Sequence, residues 1–170
     1  MTSALRVIFD TNIYGMIILE NPEIVEKIVR DRDLVVYNFK PIRRELRDIP
    51  KKERINELGK RNFALQVYDQ ITRNHYLSES IKIDNLALKF YNRYRAEGGI
   101  RDWKTTNIKI DFTIVACACL NNLDVIYSND ESTMISKPSL KAYKHIAIKE
   151  SLRIPNFWGY RDLKERYLTS

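Results

Sequence analysis

Short apolar runs that alternate with helical patterns constrain the fold of this chain more than any other feature. Residues 5–9, LRVIF, and residues 124–128, DVIYS, are typical of strands buried on both faces. Residues 34–39, LVVYNF, predict a second strand, and residues 145–149, HIAIK, predict an edge strand. Between them the apolar spacing predicts helices at 22–31, 41–49 and 107–122. This alternation predicts an α/β fold, a central parallel sheet covered by helices on both sides.

The length of 170 residues predicts a single domain spanning 1–170, with a helical insertion of two or three helices around 51–105. The longest apolar run, FTIVACACL, is far shorter than the ~20 residues of a membrane-spanning helix. The first residues do not have the pattern of a signal peptide. We therefore expect a cytoplasmic protein with no membrane association.

The chain has few residues suited to nucleophilic or zinc chemistry. Cys117 and Cys119 are the only cysteines, and their i, i+2 spacing on a helix points them to different faces. His75 and His145 are isolated in the sequence, and no glycine-rich nucleotide-binding loop is present. A zinc enzyme, a Cys–His nucleophile and a Ser–His–Asp triad are therefore poorly supported.

Carboxylates are the candidate functional groups, and four of them map to one edge of the predicted sheet. Asp10 and Asp130 follow the first strand and the DVIYS strand, while Glu45 and Asp111 lie in the first turns of helices that begin at the same edge. Ligands of open parallel sheets bind at the carboxyl ends of the strands, which is this edge. Taken singly, these acids could cap helices, form turns or pair with arginine.

Convergence of the four carboxylates favours a metal site over a purely structural role. Like charges within a few ångströms repel by ~1 kcal/mol per pair in water and ~4 kcal/mol at an effective dielectric of 20. A hard divalent cation, Mg²⁺ or Mn²⁺, offsets that repulsion and activates water for hydrolysis. Asn12 and Ser128 lie near the same edge and could position water or a phosphate oxygen.

Four short motifs in this order resemble those of the PIN-domain ribonucleases, especially VapC-like toxins and their archaeal relatives. The motifs are VIFDTN, an acidic residue in the REL helix, DFTIVACA and VIYSND, and the resemblance covers residues 5–48 and 107–130. It implies a three-layer α/β/α sandwich with a parallel sheet of four or five strands. It also implies an Mg²⁺- or Mn²⁺-dependent endoribonuclease that hydrolyses RNA phosphodiesters with a metal-activated water.

Carried over residue by residue, the resemblance implies that Asp10, Glu45, Asp111 and Asp130 form the acidic quartet, serving as both catalytic residues and metal ligands. The family often opens the second-acid helix with a small hydroxyl residue, whereas this chain has Lys40 and Pro41. Asp48, one turn beyond Glu45, is therefore the alternative second acid. The resemblance further suggests a homodimer and, for a toxin, a cognate antitoxin.

The basic excess predicts where RNA binds. The formal net charge is +7, and residues 51–110 hold 13 Lys and Arg against 7 Asp and Glu. Within them the stretch KFYNRYR interleaves bases and aromatics, which suits single-stranded RNA. The predicted RNA-binding residues are Lys89, Tyr91, Arg93, Tyr94 and Arg95. The alternative is that the aromatic residues are core and the arginines face solvent.

Other functions remain open from the sequence. A haloacid-dehalogenase-like phosphatase needs a second Asp where this chain has Asn12, and a receiver domain needs an acidic pair where FDTN has one acid. A non-catalytic RNA- or partner-binding module is the alternative outside enzymology. An RNA-processing nuclease without an antitoxin is the alternative to a toxin.

Overall fold

A four-stranded parallel sheet organises the computed structural model, which describes residues 3–169. The strands of this chain are β1 (Leu5–Phe9), β2 (Leu34–Val36), β3 (Asn38–Phe39), β4 (Arg54–Ile55), β5 (Leu58–Gly59), β6 (Tyr76–Leu77), β7 (Val125–Tyr127) and β8 (Asn156–Trp158). The helices are α1 (Thr11–Glu20), α2 (Ile24–Arg30), α3 (Lys40–Arg47), α4 (Lys60–Thr72), α5 (Ile81–Ala96), α6 (Ile108–Leu120), α7 (Lys137–Glu150) and α8 (Tyr160–Leu168).

The main sheet has the order β2-β1-β7-β8, and all its pairings are parallel. Connections between parallel strands are right-handed in almost all proteins, and the crossovers from β1 to β2 and from β2 to β7 run in opposite directions across the sheet, so they place helices on opposite faces. The packing agrees: α5 contacts α6 and α7 on one face, and α4, although it lies in the second crossover, contacts α1 and α2 on the other. The architecture is therefore an α/β sandwich with a parallel sheet, as predicted.

The register of the two central strands fixes the position of the candidate site. Phe9 pairs with Tyr127 at the carboxyl ends of β1 and β7, and the backbone N–H of Asp10 then donates to Tyr127 O at 2.9 Å. The next residues along each strand, Asp10 and Ser128, consequently leave the sheet side by side.

Two local predictions are wrong. The strand predicted at 34–39 divides into β2 and β3, and β3 leaves the main sheet to pair with β6. The edge strand predicted at 145–149 belongs to α7, and the edge strand is β8. Residues 51–105 hold two helices, α4 and α5, within the predicted number, together with the β4–β5 hairpin and β6, and α5 packs against α6 and α7.

Across residues 3–169, none of the helices has both the length and the apolar character needed to cross a membrane.

Candidate active site

Four elements deliver the predicted quartet to the carboxyl edge of the sheet. Asp10 follows β1 and is the N-cap of α1. Asp130 lies in the loop after β7, Asp111 in the first turn of α6, and Glu45 in α3. Hydrogen bonds through neighbouring hydroxyl groups connect these carboxylates, as the following paragraphs describe.

Asp10 is almost fully buried, with 4% of its surface exposed. Its Oδ1 accepts from the backbone N–H of Thr11 at 2.7 Å, which caps α1. Its Oδ2 accepts from Ser128 Oγ at 2.7 Å and from Asn12 Nδ2 at 2.9 Å. Burial raises the pKa of Asp10, although these hydrogen bonds oppose the shift. Asn12 and Ser128 therefore support Asp10 directly, and Asp10 is a helix cap as well as a member of the cluster.

Thr133 joins Asp111 to Asp130. Its Oγ1 lies 2.6 Å from Asp111 Oδ2 and also contacts Asp130 Oδ2. Asp130 Oδ1 accepts from the backbone N–H and hydroxyl of Ser132 at 3.1 and 2.8 Å, and from the backbone N–H of Thr133 at 3.0 Å. Burial alone would raise the pKa of Asp130, but these donors lower it below its ordinary value.

Asp111 has a strongly raised pKa. Burial, followed by the charges of Asp10, Asp130 and Glu45, raises the pKa of Asp111 to about 8, and the hydrogen bond with Thr133 only partly opposes this. The hydroxyl of Thr133 carries one proton and can donate to only one carboxylate at a time. A protonated Asp111 resolves the conflict, because it can donate to Thr133 Oγ1 while Thr133 donates to Asp130.

Glu45 is the second acid of the cluster. Its Oε2 accepts from Thr11 Oγ1 at 2.5 Å, which ties α3 to the start of α1 beside Asp10. Burial and the charges of Asp10, Asp48 and Asp130 raise the pKa of Glu45. Asp48 is the exposed C-cap of α3, so Glu45 is the better placed of the two alternatives.

In the part of the chain that the structure describes, the cluster lacks a cationic partner. Among residues 3–169, none of the ion pairs within 4.0 Å involves a member of the quartet. Four carboxylates thus influence one another at a buried edge with no Lys or Arg to compensate their charge. Such an arrangement lowers stability when all four are ionised.

The donor set suits a hard cation, but its present geometry does not form a metal site. Carboxylate oxygens are the ligands that Mg²⁺ and Mn²⁺ prefer. As the side chains stand, the described part of the chain contains no group of three or more Asp, Glu, His or Cys residues that could hold an ion. Thr133 stands between Asp111 and Asp130. The residues fit a metal by chemistry, and ligation requires Asp111 to lose its proton and the contacts of Thr133 to change.

The predicted RNA-binding aromatics lie against the core. Tyr94 is 2% exposed, its ring meets that of Phe112 edge-on, and its hydroxyl accepts from the backbone N–H of Arg101 at 3.1 Å. Tyr91 is half-buried beside Trp103, with ring centroids 4.9 Å apart, and its hydroxyl accepts from the backbone N–H of Trp103. Because other side chains of the protein cover the rings of Tyr91 and Tyr94, we do not expect these rings to stack on bases.

Two of the three predicted basic residues of α5 form ion pairs with acidic residues of the protein. Lys89 pairs with Glu150 at 2.6 Å and lines a cleft with Leu120, the last residue of α6. Since α6 begins at the carboxylate edge, Lys89 lies toward the opposite edge. Arg93 pairs with Glu97 on its own helix. Arg95 is exposed in the last turn of α5 and belongs to none of the ion pairs of residues 3–169, so it alone keeps the predicted role.

Thr11 and Thr133 are the site residues that the sequence reasoning missed. Thr11 directly follows Asp10, and Thr133 lies three residues after Asp130, where hydroxyl side chains commonly bond to a preceding carboxylate in a turn. That spacing could have indicated Thr133. The contact of Thr11 with Glu45 joins positions 34 residues apart, so it could not be read from local sequence.

Comparisons with known proteins give no identity for the chain. No protein-family model matches it, and no curated protein matches it.

Proposed function

We propose that this protein is a divalent-metal-dependent endoribonuclease of the PIN-domain type. The observation that carries the proposal is the gathering of Asp10, Glu45, Asp111 and Asp130, without a cationic partner, at the ligand-binding edge of a parallel sheet. Structural roles explain the capping by Asp10 and the turn at Asp130, but they do not explain why four acids share one place. The four motifs that carry the PIN resemblance contain these four residues.

The quartet would hold Mg²⁺ or Mn²⁺, with Asp10, Asp111 and Asp130 as the main ligands and Glu45 beside them. When bound, such an ion supplies Lewis acidity to a phosphodiester and lowers the pKa of water. The protein contributes by holding the carboxylates of the quartet in fixed positions. Asn12 and Ser128 fix the Asp10 carboxylate, and Thr11 fixes Glu45.

The proton on Asp111 couples cation binding to pH. A carboxyl group whose pKa is raised to about 8 can exchange a proton near neutral pH. Thr133 connects that group to Asp130, whose pKa is low. The pair can therefore hold one proton in the metal-free protein, and Asp111 would release it when a cation binds.

We propose RNA as the substrate. The proposed setting is a homodimeric toxin with a cognate antitoxin, and the second candidate is an RNA-processing nuclease without an antitoxin. A non-catalytic RNA-binding module remains the alternative if cleavage fails.

The first test is cleavage of end-labelled single-stranded RNA with Mg²⁺, Mn²⁺ or EDTA. We expect fragments with a metal and none with EDTA. Asp111→Asn should reduce the cleavage rate by at least about 100-fold, because a neutral amide cannot replace an ionised carboxylate as a ligand of the cation. A contaminating nuclease is excluded by purifying the variant in the same way.

The matched control is Asp33→Asn. Asp33 is exposed and precedes β2, so it lies at the opposite edge of the sheet. We expect this variant to cleave RNA at the wild-type rate. If folded wild-type protein cleaves no RNA with either metal, or if Asp111→Asn cleaves as well as Asp33→Asn, the proposed function is wrong.

A further inference from the structure

One side of α3 forms a basic pocket that lies apart from the carboxylate cluster. Lys40, Arg43, Arg44 and Arg47 stand at positions i, i+3, i+4 and i+7 of this helix, which places them on one face. They line a cleft of about 480 Å³ together with Asn38 and Tyr76. Charge counting along the chain did not reveal this cluster, because residues 1–50 balance to zero overall.

Two of the four cations are held by acids and two are available. Arg43 forms two hydrogen bonds to Asp69, at 2.9 and 2.8 Å, and Arg44 forms two to Glu79, at 2.9 and 3.1 Å. These paired guanidinium groups keep further N–H donors, and their orientation is fixed. Lys40 and Arg47 are exposed, and neither takes part in the ion pairs that the structure describes for residues 3–169. The pocket therefore has a net positive charge.

Tyr76 gives the pocket an exposed aromatic wall. It is 67% exposed, although it belongs to β6, which pairs in parallel with β3. The backbone N–H of Asn38 donates to His75 O at 2.6 Å, which fixes the segment. The side chain of Asn38 accepts from the Tyr68 hydroxyl through Oδ1, so its amide N–H groups can face a ligand. Tyr76 is thus an aromatic ring held by backbone pairing and open to solvent.

Cations beside an exposed ring match the chemistry of single-stranded nucleic acid. Lysine and arginine bind phosphates, while an aromatic ring stacks on an unpaired base. An acidic peptide would use the cations but would give Tyr76 no planar partner. The combination favours a nucleic acid strand over a protein ligand.

The position of α3 connects the pocket to the carboxylate cluster. Glu45 lies between Arg44 and Leu46 and points to the side of α3 opposite the basic face, where it meets Thr11. The two sites are separated by about one helix diameter, ~10–12 Å. A strand of a few nucleotides can span that distance.

We propose that the α3 pocket binds single-stranded nucleic acid, with phosphates at Lys40 and Arg47 and a base on Tyr76. Under the proposed ribonuclease function, on which this reading of the ligand as RNA rests, the pocket holds the substrate strand next to the cleavage site. The binding itself requires no metal, so it can be measured separately from catalysis.

The test is fluorescence anisotropy with a labelled ten-nucleotide single-stranded RNA in EDTA, over a range of salt concentrations. Lys40→Gln/Arg47→Gln should raise Kd at least about tenfold at low salt and flatten the slope of log K against log salt by roughly 1.4, since each neutralised phosphate contributes about 0.7. Tyr76→Ala should raise Kd about tenfold with an unchanged slope.

The matched control is Lys144→Gln/Lys149→Gln, which removes the same charge from exposed positions of α7. We expect this control to change the slope less than half as much. If the two double variants change the Kd and the salt slope of RNA binding equally, the proposed pocket is wrong. An unchanged Kd for Tyr76→Ala would also contradict it. Circular dichroism spectra confirm that each variant is folded.

Two further arms identify the ligand. A DNA strand of the same sequence tests whether the 2′-hydroxyl matters, and equal affinity assigns the pocket to single-stranded nucleic acid in general. Polyglutamate tests for an acidic peptide ligand. If polyglutamate displaces RNA and this protein binds polyglutamate more tightly than RNA, the nucleic acid assignment is wrong. If the protein binds RNA but cleaves it with neither metal, the proposed nuclease function is wrong and the proposed binding pocket stands. If the protein cleaves RNA but the pocket variants bind it as well as wild type, only the proposed pocket is wrong.

Discussion

Thr133 is the residue that links the two carboxylates on which the pH sensitivity of the candidate site depends. A single hydroxyl lies between Asp111 and Asp130, and it cannot donate to two ionised carboxylates. The pKa of Asp111 is raised to about 8, while that of Asp130 is lowered. The proton therefore resides on Asp111 at neutral pH when no cation is bound.

This proton predicts how stability depends on pH. Between its ordinary pKa of 3.8 and about 8, Asp111 binds a proton in the folded protein that the unfolded chain has released. The free energy of unfolding therefore falls as pH rises through this range. Asp111→Asn removes the effect, so in EDTA at pH 8.5 it should raise Tm by at least ~2–4 °C, which corresponds to ~1 kcal/mol for a chain of this size.

The comparison of melting curves must cover several pH values. The difference in Tm between Asp111→Asn and wild type should shrink as pH falls toward 4, where both side chains are neutral. Asp33→Asn serves as the control and should show the wild-type profile. A difference in Tm that stays constant from pH 4 to pH 8.5 would contradict the assignment of the proton to Asp111.

At the scale of elements, the exposed basic face lies on α3 and not on α5, where the sequence placed it. The charge count and the interleaved aromatics pointed to α5, but Phe90 and Tyr94 are buried against α6 and α7. The basic face of α3 belongs to a segment whose own charges balance. Surface charge depends on which residues the fold brings together, and sequence windows do not contain that information.

The turn after α5 supplies a stability prediction. Gly99 donates its backbone N–H to Tyr94 O at 2.8 Å, and a Cβ at this position would lie 2.3 Å from the Tyr94 ring. Because the ring is packed in the core, it cannot move away cheaply. Gly99→Ala should therefore lower the free energy of unfolding by ~1–3 kcal/mol, measured by urea denaturation.

Gly15 offers the opposite case within α1. A Cβ at Gly15 would meet nothing within 4 Å, and alanine favours the helix by up to ~1 kcal/mol over glycine. Gly15→Ala should therefore leave stability unchanged or raise it. If both alanine variants shift the urea midpoint in the same direction, the contact between Gly99 and Tyr94 does not determine the result.

For the whole molecule, the sequence predicted the parallel sheet and the edge at which the acids meet. The strongest signals were the continuous apolar runs of β1 and β7, since a strand buried on both faces has few alternatives. The prediction of a strand at 145–149 was wrong because a short apolar run with β-branched Ile146 and Ile148 imitates a strand, while Ala142, Tyr143 and Ala147 are buried at helical spacing. Two further helices, α1 and α8, gave no clear signal, because α1 is apolar nearly all round and α8 buries only Tyr160 and Leu163.

The candidate site was predictable in membership and not in internal contacts. Asp10, Asp111 and Asp130 follow from strand ends and a helix start, and Glu45 follows from a helix that begins at the same edge, which are local features. The bonds from Thr11 to Glu45 and from Thr133 to Asp111 depend on side-chain positions set by packing. The same packing raises the pKa of Asp111, so the chemistry of the site belongs to the folded molecule.

Linkage between metal binding and folding gives a prediction for the whole molecule. An ion that binds only the folded protein raises its stability by ~2.7 kcal/mol at a hundredfold excess over Kd. Ligation requires Asp111 to lose its proton, so affinity should weaken roughly tenfold per pH unit below about 8. We therefore expect Mn²⁺ to raise Tm clearly at pH 8 and much less at pH 6, at constant ionic strength.

Asp111→Asn should abolish the pH dependence of this increase. An equal rise in Tm for the variant and wild type at both pH values would mean that Mn²⁺ acts through the general surface, and the quartet would then not be its binding site.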